Sequence, residues 1–109
     1  MSRGDIVIAA APGDFGKPRP AVIVQSDRLS EVDSVIICPL TSAKTEWSAV
    51  RLIVEPSAET GLSARSEVMT EKIITVRPSK IGKKIGALPP DLLGELDRRL
   101  ALVLGLADD

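Results

Sequence analysis

The sequence predicts a mainly-β (α+β) fold, a small barrel of short strands closed by one C-terminal helix. Three observations predict it. Short runs rich in Val and Ile recur along the first four-fifths of the chain, and β-branched residues suit a pleated, half-buried surface. Clusters of Gly, Pro, Ser, Asp and Thr separate these runs. The last stretch changes period, with Leu92, Leu93, Leu96, Leu100, Val103 and Leu104 on one helical face. With 109 residues, and no repeat or long linker, residues 1–109 read as a single domain able to bury its own core.

The first strand is Ile6-Val7-Ile8-Ala9-Ala10, after a Gly-Asp start. The turn-rich stretch from Ala11 to Pro18 follows, and Ala21 to Gln25 is the second strand. Its Val22, Ile23 and Val24 read as buried on both faces. Val32 to Leu40 is the third, stopping near Pro39. A polar loop, Ser42 to Ser48, leads to Ala49 to Val54, where Val50, Leu52 and Val54 share a face. After the small-residue connection from Pro56 to Ser66, Glu67-Val68-Met69 and Lys72 to Val76 are further extended pieces. Ile81 to Ile85 is a short basic final strand. Pro89-Pro90-Asp91 opens the helix, acidic residues come early and Arg98 and Arg99 late, and Gly105 stops it.

Composition narrows the chemistry. Charged residues are 27% and hydrophobic residues 44%, which excludes a disordered chain. The net charge of −1 means that any contact with nucleic acid comes from a local patch. One cysteine, Cys38, precludes an intramolecular disulfide and suits the reducing cytoplasm. The start of the chain has no signal-peptide pattern, and no run is long enough to span a bilayer. There is no histidine, so the usual general base and metal ligand are absent, and no metal or other cofactor is expected.

Three segments can carry chemistry. Arg19 stands between Pro18 and Pro20, and both prolines stiffen the backbone under it. A permanent charge at the rim of a buried strand suits a phosphate; the simpler reading of this segment alone is a surface arginine. Thr41 and Ser42 follow Pro39-Leu40, where hydroxyls either donate to a phosphate oxygen or bond their own backbone. Glu71 interrupts strand-like sequence, as a base, an arginine orienter or a solvated edge charge. The two aromatics, Phe15 and Trp47, fall in loops, where they can stack on unpaired bases or cap the core. Lys17 beside Arg19 and Lys83-Lys84 are basic pairs able to attract a phosphate backbone.

Taken in order, the segments resemble the MazF/PemK family of toxin endoribonucleases. The matching pieces are Arg3-Gly4-Asp5-Ile6-Val7, Lys17-Pro18-Arg19-Pro20-Ala21-Val22-Ile23-Val24, Pro39-Leu40-Thr41-Ser42, Glu71-Lys72-Ile73-Ile74-Thr75-Val76 and Ile85-Gly86-Ala87-Leu88 with the helix after it. They cover nearly the whole chain.

The resemblance implies an SH3-like barrel of the type shared with CcdB toxins, and a homodimer. It implies metal-independent cleavage of single-stranded RNA, in which the 2′-hydroxyl attacks the adjacent phosphorus and leaves a 2′,3′-cyclic phosphate. It also implies a cognate antitoxin partner. The family's catalytic positions fall on Arg19, Thr41 and Glu71. RNA contacts are expected from Asp14, Phe15, Lys17, Ser42 and Trp47. Met69 and Ile74 stand where some members carry arginines. A CcdB-like gyrase binder and a catalytically weak RNA-binding relative are the alternative readings.

Overall fold

The computed structural model describes residues 1–10, 17–44 and 49–106. Seven strands and one long helix follow each other along them: β1 (Asp5–Ala9), β2 (Arg19–Ile23), β3 (Val35–Thr41), β4 (Leu52–Val54), β5 (Ser66–Val68), β6 (Ile74–Val76), β7 (Ile81–Ala87) and α1 (Pro90–Val103). The strands form an antiparallel sheet in the order β4-β5-β3-β2-β1-β7, with β6 also on β3.

Strands β1, β2 and β3 are apolar on both faces because both faces are covered. One face carries Ile6, Val22, Cys38 and Leu40, which pack with Leu52, Val54, Val68 and the helix residues Leu96 and Leu100. The other carries Val7, Ala9, Ala21, Ile23, Val35 and Ile37, packed with Val76. That two-sided burial explains the unbroken Val/Ile runs; alternation survives in the short β4, where Leu52 and Val54 are buried and Ile53 is exposed, and in β6, where Thr75 is exposed between Ile74 and Val76. Leu96 has no exposed surface, and burying one leucine fully is worth roughly 1.5–3 kcal/mol.

Two prolines behave differently from the sequence expectation. Pro39 does not stop β3, which continues to Thr41. The first half of β3 pairs with β6, from Val35↔Val76 to Ile37↔Ile74, and the last two residues pair with β5, Leu40↔Val68 and Thr41↔Glu67. Pro39 lies at the change of partner, where a missing N–H interrupts neither ladder. Pro20, with Arg19, is inside β2 and not ahead of it. There β2 pairs only with β1, since its ladder to β3 begins at Ala21. Val32, expected in β3, is exposed ahead of it.

The helix begins with Pro90 in its first turn and ends as expected. Gly105 has φ +74°, Leu106 N–H donates to Ala101 O at 2.8 Å and Gly105 N–H to Leu102 O at 3.2 Å. These are the paired bonds of a Schellman cap.

A candidate active site at the open end of the barrel

Arg19 opens β2 and Thr41 closes β3, so the antiparallel pairing of β2 with β3 brings the two to the same end of the sheet. They line one cavity of about 370 Å3. Ile8, Pro20, Leu40 and Ile85 form its apolar floor, and Ser42 extends the hydroxyl side. The segment from Gly61 to Ala64 with Ser66 supplies a further wall.

The hydroxyl of Thr41 makes one local hydrogen bond as an acceptor. Its Oγ1 accepts the Ala43 N–H at 3.2 Å, the local turn bond that the sequence left as one option. With that acceptor site taken, the remaining O–H donates, and a phosphate oxygen needs a donor.

The 61–66 wall is held by backbone contact. Gly61 has φ +70°, and a Cβ built there would stand 2.0 Å from Ile85 O. A Cβ on Gly86 would stand 2.3 Å from the carbonyl carbon and oxygen of Thr60. Only glycine lets the 59–61 backbone lie on β7 this closely, where Ala87 N–H donates to Glu59 O at 2.9 Å. Buried Thr60 bonds Ser57 by hydroxyl at 3.1 Å, and Ser66 Oγ donates to Ala64 O at 3.0 Å.

Glu71 does not line this cavity. It sits in the turn after β5, not in a strand, and Arg51 grips it through Nε at 3.1 and 3.2 Å and through Nη2 at 2.5 Å. Hydrogen bonds from Arg51 hold the Glu71 carboxyl below the usual carboxylate range against the opposing effect of burial. The same contact raises the Arg51 guanidinium. Arg51 Nη1 also reaches Glu67 Oε1 at 3.4 Å, and Arg65 Nη1 reaches Glu67 Oε2 at 3.3 Å. This chain of four charges was not anticipated. Arg51 alternates with Val50 and Leu52 and so reads as solvent-facing, yet it is 4% exposed. The available signal was charge balance: Arg65, Glu67 and Glu71 lie close in sequence, with an arginine on the neighbouring short strand run.

Lys17 is exposed just before β2. Asp14, Phe15 and Trp47, expected to contact bases, lie outside the described residues. Among the described residues no group of three His, Cys, Asp or Glu side chains is placed to hold a metal ion, and no helix is long and apolar enough to cross a membrane.

Comparison with known proteins gives consistent results. The family model for the PemK-like, MazF-like toxin of type II toxin-antitoxin systems matches residues 2–104. A "Probable endoribonuclease MazF" of Mycolicibacterium smegmatis is 41% identical over 108 residues, covering 98% of this chain and 99% of that protein. Among solved structures, an "Endoribonuclease in complex with its cognate antitoxin from Mycobacterial species" superposes with a TM-score of 0.82 at 21% identity, covering 100% of this chain and 99% of that one. The "Mycobacterium tuberculosis toxin MazF-mt6" has a TM-score of 0.79 at 22% identity, covering 93% and 96%. The chain belongs to the PemK-like, MazF-like toxin family of type II toxin-antitoxin systems.

Proposed function

We propose that this chain is an endoribonuclease that cuts single-stranded RNA within the cavity between Arg19 and the 61–66 wall. The observation that carries the reading is the convergence of Arg19, Thr41 and Ser42 on one open cavity. The similarity to a protein named as an endoribonuclease, at near full length, supports it.

The chemistry follows from what these groups can do. A ribonucleotide carries its own nucleophile, the 2′-hydroxyl, beside the scissile phosphorus, so the reaction needs no metal to generate one. Attack forms the O2′–P bond, breaks the P–O5′ bond and leaves a 2′,3′-cyclic phosphate and a 5′-hydroxyl. Negative charge grows on the nonbridging oxygens. The planar guanidinium of Arg19 meets both of them at once, and the Thr41 and Ser42 hydroxyls donate to their remaining lone pairs. The proton leaving O2′ and the proton gained by O5′ pass through water admitted by the open mouth. Glu71, engaged by Arg51 and away from the cavity, is assigned no contact with RNA in this reading. Neutralisation by a cognate antitoxin and a homodimeric state complete the proposal, the former supported by the solved relative in complex with its own antitoxin.

The test is incubation of the pure protein with long single-stranded RNA in EDTA, followed by mapping of the ends. Discrete cuts ending in cyclic phosphate are expected, none at a site whose 2′-hydroxyl is replaced by hydrogen, and none with Arg19→Ala. Cutting of the deoxy-substituted site would refute the mechanism. Wild-type cleavage by Arg19→Ala would remove Arg19 from it.

A further inference from the structure

Glu67 is the middle residue of β5 and has no exposed surface. A carboxylate is held in such a place only when partners replace its water. Here Arg51 binds one oxygen and Arg65 the other, at 3.4 and 3.3 Å. Arg51 is itself tied down: Glu71 takes the rest of its guanidinium, and its carbonyl accepts Arg99 Nη1 of α1 at 2.9 Å. The adjacent Val50 carbonyl accepts the buried Thr70 hydroxyl at 3.1 Å. The clamp is thereby braced against the helix and the turn after β5.

Position gives this clamp its meaning. Glu67 is directly opposite Thr41 across the β3–β5 ladder. Its neighbour Ser66 lines the cavity, and so does Ala64, on the other side of Arg65. The backbone alone holds this end of β3 weakly. The ladder has two register pairs, Leu40↔Val68 and Thr41↔Glu67, joined by one further bond from Met69 N–H to Pro39 O at 2.9 Å, while Pro39 itself offers no N–H. Beyond Thr41 the chain is exposed at Ser42 and Ala43. A short ladder at a strand end frays unless side chains fix it. An apolar pair would fill the same space, whereas a doubly gripped carboxylate selects one geometry.

We infer that Glu67 is a positioning residue: held by Arg51 and Arg65, it fixes the end of β3 so that the Thr41 hydroxyl meets the bound phosphate. The inference rests on the RNA-cleavage reading above. It adds that part of the site's accuracy is built behind the cavity, in groups that never touch RNA.

A double-mutant cycle tests it. Wild type, Glu67→Gln, Thr41→Ala and the double variant are assayed on a short single-stranded RNA with one mapped cut site. Glu67→Gln keeps size and shape but removes the charge. It should lower kcat about tenfold with KM changed less than about twofold, because alignment and not binding is lost. The double variant should be no slower than Thr41→Ala, since Glu67 acts through Thr41. Losses that multiply, a loss confined to KM, or an unchanged kcat would overturn the inference. A second readout is independent of cleavage: the Thr41 methyl resonance should shift and broaden in Glu67→Gln while those of Val35, at the far end of β3, stay in place. An unmoved Thr41 methyl refutes the positioning role. If Glu67→Gln does not fold, Arg51→Lys takes its place in both measurements, with the same expected and refuting results. Failure of the wild type to cut RNA would strike the cleavage reading alone, because the methyl measurement then still reports on Glu67.

Discussion

Gly86→Ala is the most direct probe of how the cavity wall is held. The added methyl would stand 2.3 Å from the carbonyl carbon and oxygen of Thr60 and 2.5 Å from Glu59 O, all backbone atoms. Backbone cannot swing aside as a side-chain tip does, so the 59–61 segment must retreat by about 1 Å to restore ordinary contact distances. The Ala87 N–H···O Glu59 bond, now 2.9 Å, would stretch beyond hydrogen-bonding reach. Overpacking costs about 1–3 kcal/mol and the lost bond about 0.5–1.5 kcal/mol, a total of roughly 2–4 kcal/mol. A domain with about 5–15 kcal/mol of stability remains folded after that loss. The melting temperature should fall by roughly 10–25 °C. Gly61 moves with the retreating backbone and carries Leu62, Ser63 and Ala64, so this wall of the cavity shifts as well. A misplacement of about 1 Å at a reacting site costs up to about 100-fold in rate, and kcat/KM on a single-site RNA should drop at least about tenfold. Thermal denaturation and the cleavage assay are run on the same preparation below the variant's melting temperature. A variant that melts within about 2 °C of wild type and cuts at the wild-type rate would refute the close approach of this wall to β7.

Arg19→Lys keeps the charge but loses the planar fork, so one charge-assisted hydrogen bond worth about 1.5–3 kcal/mol is lost and cleavage should slow by roughly 10- to 100-fold; an unchanged rate would show that charge alone suffices. Glu71 should contribute to acid unfolding. Its native pKa lies below the ordinary carboxylate range, so the unfolded chain takes up the proton first as pH falls. The stabilisation from its pair with Arg51 is present above the ordinary carboxylate range and is lost as pH falls through Glu71's own lower pKa; urea unfolding at successive pH values should give a shallower acid slope for Glu71→Gln, and an identical slope would rule the pair out. Burial, with a smaller contribution from Glu71, pushes the Cys38 thiol up to about 12. Native protein at neutral pH should therefore resist iodoacetamide until it unfolds, and rapid labelling of the folded chain would contradict that burial.

The architecture was legible because period and punctuation agreed along the chain. The helical leucines, the stop at Gly105 and the Val/Ile runs all correspond to observed elements. Arg19 and Thr41 were legible as a pair only through family order, since nothing local in either segment says that β2 starts where β3 ends. Pro39 misled because a proline is read as a stop when each edge of a strand is assumed to keep one partner along its length; the edge of β3 opposite β2 changes from β6 to β5. Arg51 was missed for a related reason: an alternating pattern assigns charged residues to solvent, and pattern carries no information about a second charge arriving from another strand. The 61–66 wall was also hidden, since the close contact of Gly61 and Gly86 with opposing backbone is non-local.

The change of partner at Pro39 bears on the order in which the parts of the candidate site become fixed. Strands β1 to β3 are sandwiched between two cores, whereas β4 and β5 are three residues each, β5 joining β3 through two register pairs and β4 pairing with β5 alone. Native-state hydrogen exchange should thus find the amides of Leu40, Thr41 and Val68 opening before that of Val22; the reverse order would refute this hierarchy. A chain that has paired β1 to β3 but not yet docked β4 and β5 has the strand that carries Arg19 without the pairing that fixes Thr41. On the cleavage reading proposed above, folding then acts as a safety catch, with competence arriving only on molecules that have docked their last strands.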